Sequence, residues 1–188
     1  FAHIPGLIVV CPSNSEDAYG LLRAAITDPN PVVFVENKSL YAKKYAFSES
    51  PKSISLGSAR VARVGKDVTI VTYGGAVHWA EAAALELTED EIDCEIIDLR
   101  TLQPWDEATV LTSLTKTHRL VILHEAVEAF GIGAEIAARM ADIGFDELDA
   151  PIRRIGAPYT PVPYSPALES EYAPSAAKVT AAVKEIVL

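Results

Sequence analysis

A chain of 188 residues with 49% hydrophobic side chains can bury a sizeable core without covalent staples. Its formal charge of -10 argues against a nucleic-acid partner, whose phosphates would repel it, and is compatible with a basic protein partner. No apolar run approaches the roughly 18 residues of a membrane span, and Leu7 to Cys11 is too short, and lacks the basic flank, for a signal peptide.

The chain opens at Phe1 without a methionine, in what reads as the approach to a strand, so a piece of a longer protein is expected. Leu7-Ile8-Val9-Val10-Cys11, closed by Pro12, has the continuous apolar character of a strand buried on both faces. Ser13-Asn14-Ser15 offers cap residues and Glu16-Asp17 the acids of a helix start. Ala18, Leu21, Leu22, Ala25 and Ile26 then share one helical stripe that ends before Asp28-Pro29-Asn30-Pro31. Val32 to Val35 is the next buried strand, which makes a βαβ unit with parallel strands.

Residues 37 to 66 change character, with polar and aromatic residues to Lys44 and a serine-rich stretch from Ser48 to Ser58. This segment reads as a surface linker with a short strand near Ala59 to Val64. Alternation resumes with a strand at Val68 to Tyr73, a helix at Ala76 to Leu87 and a strand at Cys94 to Leu99. A helix opened by Pro104 and Asp106 follows, then a strand at Leu120 to Leu123 and a helix at Gly131 to Ala141. A strand at Ile152 to Ile155 and a helix at Ser175 to Val187 close the chain. Such alternation predicts a doubly wound α/β sheet covered on both faces.

Few residues announce chemistry. Cys11 and Cys94 match no metal or redox spacing and read as reduced, buried thiols of a cytoplasm-like compartment. His3, His78 and His118 read as structural or solvated. His124-Glu125 falls at the carboxyl end of a predicted parallel strand, where open α/β sheets place ligands, yet no nucleophile or second base neighbours it in sequence. Gly131-Ile132-Gly133 opens a helix, but Ile136 stands where the dinucleotide fingerprint needs its third glycine, so close packing is expected. Asp28 to Pro31 reads as a turn whose oxygens would also suit a hard cation. In Arg100-Thr101-Leu102-Gln103-Pro104-Trp105-Asp106, proline and aspartate serve a helix start and the arginine is free to pair across an interface. Pro158 to Pro166 holds four prolines, which exclude regular structure and suit either a partner contact or a surface tether.

The segment order resembles the beta subunit of thiamine-diphosphate-dependent 2-oxo acid dehydrogenases. Phe1 to Asn14, Gly20 to Ile26 and Asn30 to Asn37 are similar to the end of its pyrimidine-binding domain. Val68 to Gly74, Ile97 to Asp106, Gly131 to Ile136 and Asp149 to Arg154 are similar to its C-terminal domain. The resemblance implies a remnant of the pyrimidine-binding domain at residues 1–45, a linker at 46–65 and a transketolase C-terminal-like domain at 66–188. It implies oxidative decarboxylation of pyruvate or a related 2-oxo acid, with acyl transfer to a lipoyl group. Thiamine diphosphate and magnesium ligands are expected mostly outside these residues, so no catalytic or cofactor-binding residue is assigned and the chain alone is expected to be inactive. It further implies a potassium site at the carbonyls of Ala25 and Ile26 with Asp28 and Asn30. The implied partners are an alpha subunit, a second beta subunit and the peripheral subunit-binding domain of an acyltransferase core, with Asp149 and Leu188 as docking positions. The implied compartment is the bacterial cytoplasm or the mitochondrial matrix. The competing reading is a fragment of a single-chain transketolase-like enzyme or a non-catalytic assembly module.

Overall fold

The computed structural model describes residues 1–45 and 53–187. Two sheets organise it. The first has the order β2-β1-β6, from β1 (Ile8–Val10), β2 (Val32–Phe34) and β6 (Thr101–Gln103). The second has the order β3-β5-β4-β7-β8, from β3 (Arg60–Arg63), β4 (Val68–Thr72), β5 (Cys94–Asp98), β7 (Leu120–Val127) and β8 (Arg153–Ala157). All pairs in the second sheet are parallel except the edge pair β3–β5.

Every residue of β4 and β5 is buried, as expected of central parallel strands, including the polar Thr69, Thr72, Glu95 and Asp98. Strand periodicity then divides those residues between two cores. Val68, Ile70, Cys94, Ile96, Val121 and Leu123 face α2 (Ala76–Leu87) and α6 (Ala176–Val187). Val71, Ile97, Leu99, Leu120 and Ile122 face α3 (Glu107–Thr117) and α4 (Ile132–Ile143). The buried face of α2 carries Ala76, Ala80, Ala83 and Ala84, small residues that let it lie close to the sheet. The second core also takes in Val9 and Cys11, so the two sheets share one apolar interior.

Local chemistry sets the helix starts. The Asn14 side chain accepts from the Asp17 amide at the head of α1 (Ser15–Thr27), and Asp106 accepts from Thr109 at the head of α3. The parallel pairing of β1 with β2 agrees with the βαβ reading.

Residues 46–52 of the expected linker lie outside the described residues, and the short strand expected near Ala59 to Val64 is found at Arg60–Arg63, the edge strand of the second sheet. Two features depart from the sequence expectations. Thr101–Gln103, read as the run-up to a helix, crosses to the first sheet and pairs antiparallel with β1, Val10 against Thr101. A short helix α5 (Pro166–Tyr172) starts at the last of the four prolines, where a fixed φ suits the first helical position. Among the described residues, no helix is long and apolar enough to cross a membrane.

Candidate functional site

The strand order fixes where the second sheet opens. From β4 the chain passes through α2 to β5 on one side, and from β5 through α3 to β7 on the other. The carboxyl ends of β4 and β7 therefore flank a topological switch point, the usual ligand position of such sheets. Here they meet the carboxyl ends of β1 and β2, and a crevice of about 460 Å³ lies between, lined by Cys11, Asn37, Tyr73, Gly74 and Glu125 among others. Gly74 has φ +57°, and a Cβ there would come within 2.7 Å of Cys11 Sγ, so both backbone conformation and space demand glycine. Asn37 Nδ2 donates to Glu125 Oε2 at 2.6 Å and ties the first sheet's loop to β7.

His124 sits beside this crevice but is sealed from it. The strand period turns its ring toward α4, where Gly131 and Gly133 make room: a Cβ at Gly133 would lie 2.5 Å from Nε2. The expectation that Gly131-Ile132-Gly133 serves packing holds, and the packing is against a histidine. Nδ1 lies 3.1 Å from the Ala126 carbonyl, which can only accept, so Nδ1 carries the proton, and the buried Nε2 has no hydrogen-bond partner among the described residues. Burial holds the imidazole below its ordinary pKa and keeps it neutral. Tyr73 stacks on it across the switch point at 6.3 Å. Burial pushes the Cys11 thiol up to about 12, with Asp98 and Glu125 adding to the effect, so it is no nucleophile.

The second polar cluster joins the sheets. Asp98, fully buried at the end of β5, accepts from Ser13 Oγ at 2.6 Å and pairs with Arg60 at 3.0 Å. Asp17, buried on α1, pairs with Arg100 at 2.6 Å and lies 3.6 Å from Arg60 Nε. Arg100 adopts φ +58°, and its carbonyl receives the Cys11 amide as the chain turns from β5 into β6. The arginine left free to pair by the sequence therefore crosses an internal junction. Ser13 was legible only as a cap candidate and Arg60 drew no attention in the sequence; the legible signal was an aspartate closing the apolar strand Ile96-Ile97-Asp98.

These residues do not fit a diphosphate, a magnesium ion or ylid chemistry. The carboxylates Asp17 and Asp98 are committed to arginines, and His124 and Cys11 are neutral and buried. No catalytic step is routed through them.

The remaining sequence candidates lie elsewhere. Ala25, Ile26, Asp28 and Asn30 meet at the end of α1. Pro29 has no N–H to give the Ala25 carbonyl, and the Asn30 amide goes to Asp28 Oδ1 at 2.8 Å, which draws it from Ile26. Asp28 Oδ1 also accepts from Asn30 Nδ2 at 3.0 Å, so the carboxylate and the amide together form an Asx turn after the helix. Asp149 is exposed in the loop before β8, with its amide held by the His118 carbonyl, at the opposite end of the sheet from the crevice. Leu188 lies outside the described residues. His78 contacts Tyr45 and the Ser13 carbonyl, and His118 adopts φ +57° to end α3, so both are structural. His3 is exposed and lines a cleft of about 590 Å³ with Trp105 and Phe130.

A doubly wound sheet joined through an exchanged strand to a second parallel pair defines a two-unit α/β protein of the transketolase kind. The chain belongs to the transketolase C-terminal domain family: the family model "Transketolase, C-terminal domain" matches residues 57–179, and "Transketolase, pyrimidine binding domain" matches residues 1–44. It is 48% identical over 186 residues to the acetoin:2,6-dichlorophenolindophenol oxidoreductase subunit beta of Bacillus subtilis (strain 168), covering 99% of this chain and 54% of that protein. It is 46% identical to the pyruvate dehydrogenase E1 component subunit beta of Rhizobium meliloti (strain 1021), covering 99% of this chain and 41% of that protein. The chain thus spans about half the length of the curated relatives it matches. A solved structure titled "Split gene transketolase, inactive beta4 tetramer" shares the fold, with a TM-score of 0.82 at 23% identity over 99% of this chain and 59% of that one.

Proposed function

We propose that this chain supplies the C-terminal half of the beta subunit of a thiamine-diphosphate-dependent 2-oxo acid dehydrogenase, acting on pyruvate or a related 2-oxo acid and passing the acyl group to a lipoyl acceptor. The observation that carries the reading is the consecutive match to the pyrimidine-binding and C-terminal family models, in a chain whose relatives are beta subunits. In this reading residues 1–45 close the pyrimidine-binding domain and residues 66–188 form the C-terminal domain, with the 46–65 linker ending in the edge strand β3. The cofactor and magnesium are held by other segments, and these residues position and assemble. An alpha subunit and a second beta subunit are the partners, with the acyltransferase core's peripheral subunit-binding domain docking at Asp149 and Leu188. A potassium ion would bind at Ala25, Ile26, Asp28 and Asn30. Bacterial and mitochondrial relatives support the cytoplasm or the matrix as compartment.

Reconstitution tests it. The gene product carrying this chain, mixed with its alpha subunit, thiamine diphosphate and magnesium, should decarboxylate pyruvate or a branched-chain 2-oxo acid, or cleave the bond between the carbonyl and carbinol carbons of acetoin, whichever is its substrate. Inactivity on all three would overturn the reading. Calorimetric titration of the 188-residue chain with thiamine diphosphate and magnesium should give no saturable heat. Tight binding would refute the placement of those ligands in other segments.

A further inference from the structure

Beside α1 lies a second cleft, of about 270 Å³, which shares Glu36 and Asn37 with the crevice as a common wall. Pro12, Ala18 and Leu40 give it apolar sides, and Ser15 and Lys43 stand among its polar residues. Most of those polar groups are committed. Asn14 donates to Asp17 at 2.6 Å, Asn37 donates to Glu125, Glu36 accepts from the Tyr41 hydroxyl, and the Tyr45 hydroxyl meets His78 at 2.9 Å. Ser15 Oγ is the exception: it is buried and has no hydrogen-bond partner among the described residues, a state that folded chains seldom leave unmet.

The charges point the same way. Lys116 and Lys184 pair with carboxylates and Lys178 with main-chain carbonyls, which leaves Lys38, Lys43, Lys44 and Lys66 without a side-chain partner among the described residues. Three of these four crowd the loop after β2, although the chain as a whole carries a formal charge of -10 and has acids to spare. That loop is held by its own bonds, with Asn37 Oδ1 receiving the Ser39 amide and the Leu40 carbonyl the Lys43 amide, both at 3.0 Å. An ordered cleft thus keeps one hydroxyl and one ammonium uncommitted above apolar walls. We propose that it binds a small organic anion, with a carboxylate or phosphate between Ser15 and Lys43 and a short apolar body against Pro12, Ala18 and Leu40. Its volume falls below the roughly 300–1,000 Å³ of sites for drug-sized ligands, so a nucleotide is too large. An inorganic anion would leave the apolar walls unused. The site does not depend on the beta-subunit reading.

The probe is sodium hexanoate, titrated calorimetrically at low salt into the gene product carrying this chain. Saturable binding is expected with a dissociation constant of about 1 mM, within reach of so few atoms. Ser15→Ala and Lys43→Ala should each weaken it about tenfold, the usual share of a hydrogen bond to a charged group. Both variants should melt with the wild type, because neither side chain is bonded within the fold. Lys66→Ala, which removes a free lysine elsewhere, should change nothing. Hexyl phosphate in place of hexanoate identifies the headgroup, the tighter of the two naming it. Inorganic phosphate binding as tightly as either overturns the apolar body, and hexylamine doing so overturns the anion. Unchanged affinity in Ser15→Ala and Lys43→Ala, an equal loss in Lys66→Ala, or no saturation by about 20 mM of either anion overturns the site.

Discussion

The junction between the sheets and the arm from Pro158 to Glu171 both invert the usual division of polar outside and apolar inside, in opposite senses. At the junction Asp17 and Asp98 are buried, and the same chain supplies Arg60, Arg100, Ser13 and Asn14 to satisfy them. On the arm Tyr159, Val162, Tyr164 and Leu168 are exposed, and the chain supplies almost nothing to cover them. The first inversion is closed within the molecule and holds two sheets as one body. The second is open, and an open inversion is where a partner is to be sought.

Breaking a closed inversion should cost most. Asp98→Ala removes the acceptor of both Ser13 and Arg60, leaving a partly buried guanidinium beside a single carboxylate. Stripping one partner from a buried ion pair costs about 3–5 kcal/mol, and urea denaturation should show a loss of that size. The loss should also reach β1 and α1, read by faster amide exchange there, because Asp98 binds Arg60 and Ser13 on both sides of the joint. A change below about 1 kcal/mol would mean that the joint holds without Asp98, through the Asp17 pairs, the β1–β6 pairing and the apolar core around Val9 and Cys11.

The two regions were unequally legible. The parallel alternation, the α2 boundaries and the Asp106 cap follow from local periodicity and capping, which one stretch of chain carries by itself. The strand exchange of Thr101–Gln103 does not, because three residues have no readable period and their pairing with Val9 and Val10 is decided about ninety residues away. Arg60 and Asp98 are likewise joined only by the fold, although an aspartate ending an apolar strand is a visible prompt to look for its counter-charge. The prolines of the arm were plain, while its short helix was hidden because a single turn or two needs no amphipathic pattern. The turn at Asp28 was legible as a turn; its donor set came from resemblance, since spacing alone does not distinguish an Asx turn from a cation site.

His124 lies between the two extremes, a buried polar group satisfied at Nδ1 and unpartnered at Nε2. Gly133→Ala would drive a methyl into that ring and should destabilise by about 1–3 kcal/mol, the usual cost of overpacking, measured as a lower denaturation midpoint. Its titration sharpens the point. The folded imidazole has a lowered pKa, so below the ordinary value of 6.5 the unfolded chain binds the proton that the folded one resists. Stability is therefore complete above about pH 6.5 and is lost as the pH falls, with a slope of at most about 1.4 kcal/mol per pH unit from this one group. Subtracting the profile of His124→Gln should remove that component. Superimposable wild-type and variant profiles between pH 7 and pH 5 would show that His124 is not held neutral.

The smallest effect belongs to the arm, and its smallness is the informative result. Tyr164 is fully exposed and Val162 about two-thirds so, and Tyr164→Ala with Val162→Ala should shift the stability of the chain alone by no more than about 0.5 kcal/mol each, as for surface positions. The same two substitutions in the assembled protein should lower its melting temperature, because a partner that binds only the folded arm adds stability by mass action. A large loss in the chain alone would show the arm to be closed like the junction, covered by its own molecule. No loss in either setting would show that its exposed aromatic residues have no counterpart at all.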